Sequence, residues 1–301
     1  MRIGMSLEDF TVPGGPAQIA PTVGRIARDA DDAGLASFWV MDHFFQIPFI
    51  GPAEHEMLEG YSVLAYVAGM TSRIELGTMV TGVAYRHPGI LIKTVTTLDV
   101  LSGGRAWLGI GAAWNEMEAR SLGIRFPPLG KRFDQLEETL RIALHMWAGD
   151  ERPFRGEEFQ LARPLNSPNS LRRPHPPILI GGGGERRTLR LVAQYADACN
   201  LFAFDPRSVA HKLEVLRGHC EEVGRPFDEI EKTALLRFNL SRNGTGASIT
   251  PREAVERVHA LGELGIDHLI VSLEGVHRPG PVDLLGEVAE MASSLVPAGR
   301  N

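Results

Sequence analysis

The chain has 301 residues, 44% of them hydrophobic and 23% charged, with a formal net charge of -6. This length and apolar share suit a soluble globular protein with a large core, and the acidic balance speaks against a general affinity for nucleic acid or anionic membranes. Two cysteines, Cys199 and Cys220, are too few for a disulfide framework and lack zinc spacing; Met1–Phe10 shows no secretory leader, and Gly60–Ser72 is too short and polar to span a bilayer, so reduced thiols and a cytoplasmic protein are expected.

Along the chain, short β-rich runs alternate with longer stretches of helical period. Arg2–Ser6 predicts a first strand and Pro16–Ala33 a helix, with Ile19, Val23, Ile26 and Ala30 on one face and Gly34 as its stop. Phe38–Met41 is the second strand, followed by a helix over Tyr61–Met70. Ile74–Thr81 is the third strand, followed by Pro88–Leu101, a helix closed by Ser102-Gly103-Gly104. Ala106–Ile110 is the fourth strand, and Phe133–Trp147 the clearest helix. The remaining pairs are Ile178–Ile180 with Glu185–Tyr195, Ala198–Phe202 with Ser208–Val223, Lys232–Leu240 with Pro251–Leu264, and His268–Leu273 with Val282–Leu295.

Eight β/α units with apolar strands between amphipathic helices imply a parallel sheet covered by helices, and in this length they favour a closed (β/α)8 TIM barrel. One domain over residues 1–301 is expected, with an irregular Pro- and Arg-rich insertion at about 149–177 before the fifth strand. In such barrels chemistry gathers at the C-terminal ends of the strands.

At those ends stand several candidates. Asp42-His43 follows strand two; His43 is a proton handler by its near-neutral titration, and Asp42 either orients it or braces a loop. Gly181-Gly182-Gly183-Gly184 follows strand five and opens a helix, an arrangement that lets backbone approach a phosphate. After strand four, Gly109–Glu116 carries small residues that leave room for a planar ligand, with Trp114 and Asn115 to wall and hydrogen-bond it. Phe45, Phe49 and Trp114 suggest an aromatic-lined substrate pocket. None of the four lysines ends a strand, which disfavours Schiff-base chemistry, and no Gly-x-Ser-x-Gly elbow or metal-ligand spacing occurs.

Taken together, Phe38–Phe44, Thr71–Thr78, Arg86-His87-Pro88, Leu98–Arg105, Gly109–Glu116, Arg132-Phe133-Asp134 and Pro177–Gly184 resemble the luciferase-like monooxygenase superfamily, in its F420-dependent oxidoreductase branch, from Met1 to about Leu273. The resemblance implies a deazaflavin F420, or alternatively FMN, at the barrel mouth. It places His43 near the reactive face, Asn115 against the ring and Gly181–Gly184 at the phosphate. It also implies a cis peptide at Gly82–Val83 pressed on the ring, and a homodimer. Arg187, with Arg186, Arg190, Arg172 and Arg173 nearby, is expected to attract the anionic tail of F420. Sugar-phosphate dehydrogenases of the family carry a glutamate in the strand-four loop where Ala113 and Trp114 stand here, which speaks against glucose 6-phosphate as substrate.

The activity implied is hydride transfer between F420 and a small organic substrate. The alternatives are an FMN-dependent monooxygenase using reduced flavin and O2, and a non-catalytic flavin-binding barrel.

Overall fold

The computed structural model describes residues 1–294. In chain order its elements are β1 (Arg2–Leu7), α1 (Ile19–Asp32), β2 (Ser37–Val40), α2 (Gly60–Ala68), β3 (Glu75–Thr78), β4 (Thr81–Gly82), α3 (Pro88–Ser102), β5 (Leu108–Gly111), α4 (Glu116–Ser121) and α5 (Leu129–Trp147). Then come β6 (Phe154–Arg155), β7 (Gln160–Leu161), β8 (Ile178–Gly181), α6 (Thr188–Tyr195), β9 (Ala198–Phe202), α7 (Pro206–Val223), β10 (Glu231–Phe238), α8 (Pro251–Glu263), β11 (His268–Leu273) and α9 (Pro281–Ser294).

The main sheet runs β3-β2-β1-β11-β10-β9-β8-β5-β4, every neighbouring pair parallel. An isolated parallel bridge, Leu76↔Ala106, joins its two ends. Thr78 Oγ1 donates to Gly109 O at 2.9 Å across that seam. A Cβ on Gly109 would lie 1.8 Å from Thr78 O, so only glycine permits this approach. The result is the expected closed (β/α)8 TIM barrel, with β3 and β4 sharing one stave. Inside it Trp39 and Trp107 meet edge to face at 5.8 Å.

Local chemistry explains the element ends. Pro88 and Pro206 occupy first helical positions, Gly103 and Gly224 take left-handed C-caps, and Thr250 with Glu253 forms a capping box on α8. Several boundaries move inward: a single 3-10 turn over Pro16–Gln18 precedes α1, α2 ends at Ala68 rather than Met70, β5 begins at Leu108 rather than Ala106, α6 begins at Thr188 rather than Glu185, and β10 ends at Phe238 rather than Leu240. Leu295, the expected end of the last helix, lies outside the described residues.

The third strand departs most from expectation. It is interrupted at Met79-Val80, so β3 and β4 are two pieces of one stave, and the non-prolyl cis peptide is Met79–Val80, not Gly82–Val83. Within the insertion, β6 and β7 form a short antiparallel hairpin. Glu138 of α5 fixes its tip by accepting N–H groups of Glu157, Glu158 and Phe159.

Several motifs that carry the resemblance are braces at the far, N-terminal end of the barrel. Asp31 accepts the N–H groups of Ser72, Arg73 and Ile74 at 2.7–3.0 Å. Arg105 donates to the carbonyls of Ala68, Thr71 and Ile74. Arg172 pairs at 2.8 Å with Glu75, the first residue of β3. Arg172 therefore faces away from the barrel mouth, and Arg173 bonds Ser170 O, so neither joins the cation cluster expected beside the glycine run. Cys199 and Cys220 are free and buried, and burial pushes the Cys199 thiol up to about 12.

Candidate active site

Two cavities open at the C-terminal ends of the strands. The first, about 280 Å³, is floored by the small residues Gly111, Ala112 and Ala113 after β5 and Gly181 and Gly182 after β8, with Val80 beside them. The second, about 580 Å³, lies over β1, β10 and β11. His43, Met79, Trp114, Phe202 and Leu235 border both, so the two are one cleft divided by a shared rim.

His43 is fixed by Glu118, not by Asp42. Its Nδ1 lies 2.8 Å from Glu118 Oε2, and Tyr85 Oη donates to the same oxygen at 2.7 Å. Glu118 Oε1 accepts the N–H groups of Phe44 and Phe45, the latter at 3.0 Å. Burial opposes the charge of Glu118, but hydrogen bonds from His43, Phe45 and Tyr85 outweigh it and hold the carboxyl below its usual range. An ionised carboxylate only accepts, so His43 Nδ1 carries the proton and Nε2 is the nitrogen left for a ligand in the cleft. Burial and then Glu118 raise the Tyr85 phenol, which stays a neutral donor.

Glu118 is there because Asn115 caps α4: its Oδ1 accepts Glu118 N–H at 3.3 Å. The spacing Asn-x-x-Glu is a capping signal legible in the sequence. Asn115 Nδ2 is buried without a partner among the described residues, but Asn115, expected against the ring, lines neither cavity. Arg132 of α5 holds the floor itself by donating to the carbonyls of Ala112 and Ala113; Ala113 takes a positive φ of 59°.

Asp42 has another role. Its carboxylate is buried and bound on both oxygens by Arg86, which also pairs with Glu59 and stacks on Tyr61 and Phe44. Burial works against the Arg86 charge, yet Asp42, with Tyr61 and Glu59, more than offsets this and holds the guanidinium above its ordinary range, while burial pushes the Asp42 carboxyl up against the pull of Arg86. The pair braces the β2 loop, the second of the two roles the sequence allowed. His87 and Pro88 complete that motif as N-cap and first helical residue of α3.

The other expected residues divide. Gly82, Gly181, Gly182 and Trp114 line the first cavity, and Phe49 and Trp114 the second. Val83 is buried in the core, and Val80 takes the place expected of it. Phe45 contributes its backbone N–H to Glu118, while its ring lines neither cavity. Gly183 and Gly184 continue the turn into α6 without lining the cleft. Arg187 pairs with Asp134 at 2.7 Å and stacks on Phe133, which draws it towards α5. Met79, Val80, Tyr85, Thr188, Asn200 and Leu235 were not anticipated at the cleft.

The floor fits a flat ring system. Gly111, Ala112 and Gly182 add little bulk above the sheet, and Gly182 has a φ of 116° that excludes most side chains. Among the described residues no cluster of three His, Cys, Asp or Glu is placed to hold a metal ion, and no helix is long and apolar enough to cross a membrane.

The chain is 32% identical over 260 residues to the F420-dependent glucose-6-phosphate dehydrogenase of Kineococcus radiotolerans, spanning 83% of this chain and 71% of that one. It is 23% identical to the 5,10-methylenetetrahydromethanopterin reductase of Methanopyrus kandleri over 84% of this chain and 71% of the relative. Its fold superposes on an F420-dependent secondary alcohol dehydrogenase solved with an F420–acetone adduct, with a TM-score of 0.82 at 17% identity, covering 97% of this chain and 98% of that one. The sequence profile of the luciferase-like monooxygenases matches residues 1–247, and with the barrel and its glycine-floored cleft this makes the chain a member of the luciferase-like monooxygenase family.

Proposed function

We propose that this chain is an F420-dependent oxidoreductase that moves a hydride between the deazaflavin and a small organic substrate. The observation that carries the reading is the position of His43: a carboxylate-oriented imidazole on the rim shared by a flat, small-residue floor and a larger apolar cavity. The relatives named above support F420 as the cofactor.

When bound, F420 supplies a carbon centre that exchanges a hydride; the protein supplies the rest. Gly111, Ala112, Gly181 and Gly182 leave space for the ring, and the backbone about Gly181–Gly184 with the α6 N-terminus offers N–H groups to its phosphate. Gly182 N–H is already given to Asn200 O at 3.1 Å, so the phosphate donors are expected from Gly183 onward. His43 Nε2 takes or returns the substrate proton, and Glu118 stabilises the imidazolium while the proton is held there. Trp114 and Phe202 on the rim offer apolar surface to a bound substrate.

Titration of the ligand-free protein with F420 and with FMN at low salt tests the reading. F420 is expected to bind more tightly, with an affinity that falls as salt rises, because Arg186 and Arg190, exposed just after the glycine run, would attract its anionic tail. Tighter binding of FMN would replace the proposal with the monooxygenase reading.

A further inference from the structure

The larger cavity states its preference through charge. Except for Glu8, His43, Arg237 and Ser272, its lining side chains are apolar. Among the described residues that line it, Arg237 alone carries a permanent positive charge, and it is already paired: Glu8 Oε2 lies 3.5 Å from its guanidinium. Ser272 Oγ donates to that same Glu8 oxygen at 2.7 Å, so the carboxylate is held between Ser272 of β11 and Arg237 of β10, while Gln46 Nε2 donates to the Glu8 backbone carbonyl at 3.1 Å. Glu8 is mostly buried, with 12% of its side chain exposed. Around the mouth stand aromatic rings open to solvent: Phe49 at 82%, Phe204 at 76%, Phe202 at 59% and Trp114 at 53% exposure. Phe202 and Phe204 stack at 5.6 Å with 8° between their planes. Exposed large rings gathered at one cavity are a ligand-binding surface rather than ordinary protein surface.

We infer that this cavity takes a neutral, predominantly apolar organic substrate, and that Glu8 is the residue that excludes phosphorylated or otherwise anionic ones by neutralising Arg237. A phosphate dianion placed there would lose hydration against aromatic walls and meet a half-exposed guanidinium whose charge Glu8, 3.5 Å away, partly offsets. A neutral ketone or alcohol gains from apolar burial and leaves His43 Nε2 as its polar contact. This deepens the proposed oxidoreductase reading and rests on it for the redox partner, but the recognition is a property of the empty protein.

The test is binding to the cofactor-free protein, followed by calorimetry and by the fluorescence of Trp114, the one exposed tryptophan among the described residues. Cyclohexyl phenyl ketone serves as the neutral probe and glucose 6-phosphate as the anionic one. The ketone is expected to bind and to quench the wild type but not Trp114→Phe, while glucose 6-phosphate produces no heat and no quenching. In Glu8→Gln the freed guanidinium should raise affinity for glucose 6-phosphate by about tenfold or more. Glucose 6-phosphate binding the wild type as tightly as the ketone overturns the inference, as does a folded Glu8→Gln with no gain. Should Glu8→Gln not fold, Phe204→Asp, a change at an exposed mouth position, is expected to weaken the ketone about tenfold; unchanged affinity overturns the inference. Failure of F420 to bind while the ketone does would remove the proposed function and leave this inference standing, and the reverse result would do the opposite.

Discussion

His43 Nδ1 and Glu118 Oε2 lie 2.8 Å apart, and that one contact sets which face of the imidazole meets the cleft. Replacing His43 with Ala is expected to lower kcat by about 10² to 10⁴ while the dissociation constant for F420 changes little. Glu118→Gln puts an amide N–H or a rotated amide oxygen against Nδ1 and unsettles the tautomer, so it should lower kcat in the same direction. The double variant should fall little below His43→Ala, because the two act as a unit. Near-wild-type turnover of His43→Ala sinks the assignment; independent, multiplicative losses would separate Glu118 from His43.

Glu118 also makes stability depend on pH. Its folded carboxyl titrates below the unfolded value of 4.5. Its contribution is therefore fully present above that value and is lost as pH falls through the folded one. In urea unfolding, Glu118→Gln should lose less stability than wild type between about pH 6 and about pH 3. Parallel losses in the two proteins would show that the carboxylate is not what titrates.

Asp42 stabilises the structure through Arg86. Asp42→Asn leaves a buried guanidinium short of its counter-charge and is expected to cost about 3–5 kcal/mol of unfolding free energy. Asp42→Asn combined with Arg86→Met should recover part of that loss, since the unpaired charge is gone. If Asp42→Asn unfolds like wild type but turns over slowly, Asp42 belongs to the chemistry instead.

The glycine run gives a graded test. A Cβ on Gly183 meets the Lys212 side chain no closer than 3.6 Å, so Gly183→Ala should fold normally. It still adds a methyl where backbone must approach the phosphate, and F420 affinity should fall by about tenfold. Gly182→Val, at a φ of 116°, should lose both affinity and stability. Unchanged affinity in folded Gly183→Ala moves the phosphate elsewhere.

Much of the architecture is local information. The alternation of apolar runs with helical stripes, Gly34, Gly103 and Gly224 as stops, and Pro88, Pro206 and Pro251 as starts fix the β/α units, because caps and periodicity act within a few residues. The candidates His43, Gly82, Gly181, Gly182 and Trp114 were legible because a barrel puts strand ends on one face.

What the sequence left open needed distances across the fold. Asp42 and Glu118 are both carboxylates that could partner His43, but only packing decides that Arg86, 44 residues on, claims Asp42 while a helix cap delivers Glu118, 75 residues on, to His43. The same holds for the arginines: Arg172 precedes the glycine run in sequence, yet a strand crosses the barrel from end to end, so it pairs with Glu75 at the opposite mouth. The chain determined by itself that there would be a barrel with a histidine and a glycine run at its mouth. Tertiary structure alone decided which charges neutralise one another there, because ion pairing depends on separations of a few ångströms between segments that sequence spacing does not constrain.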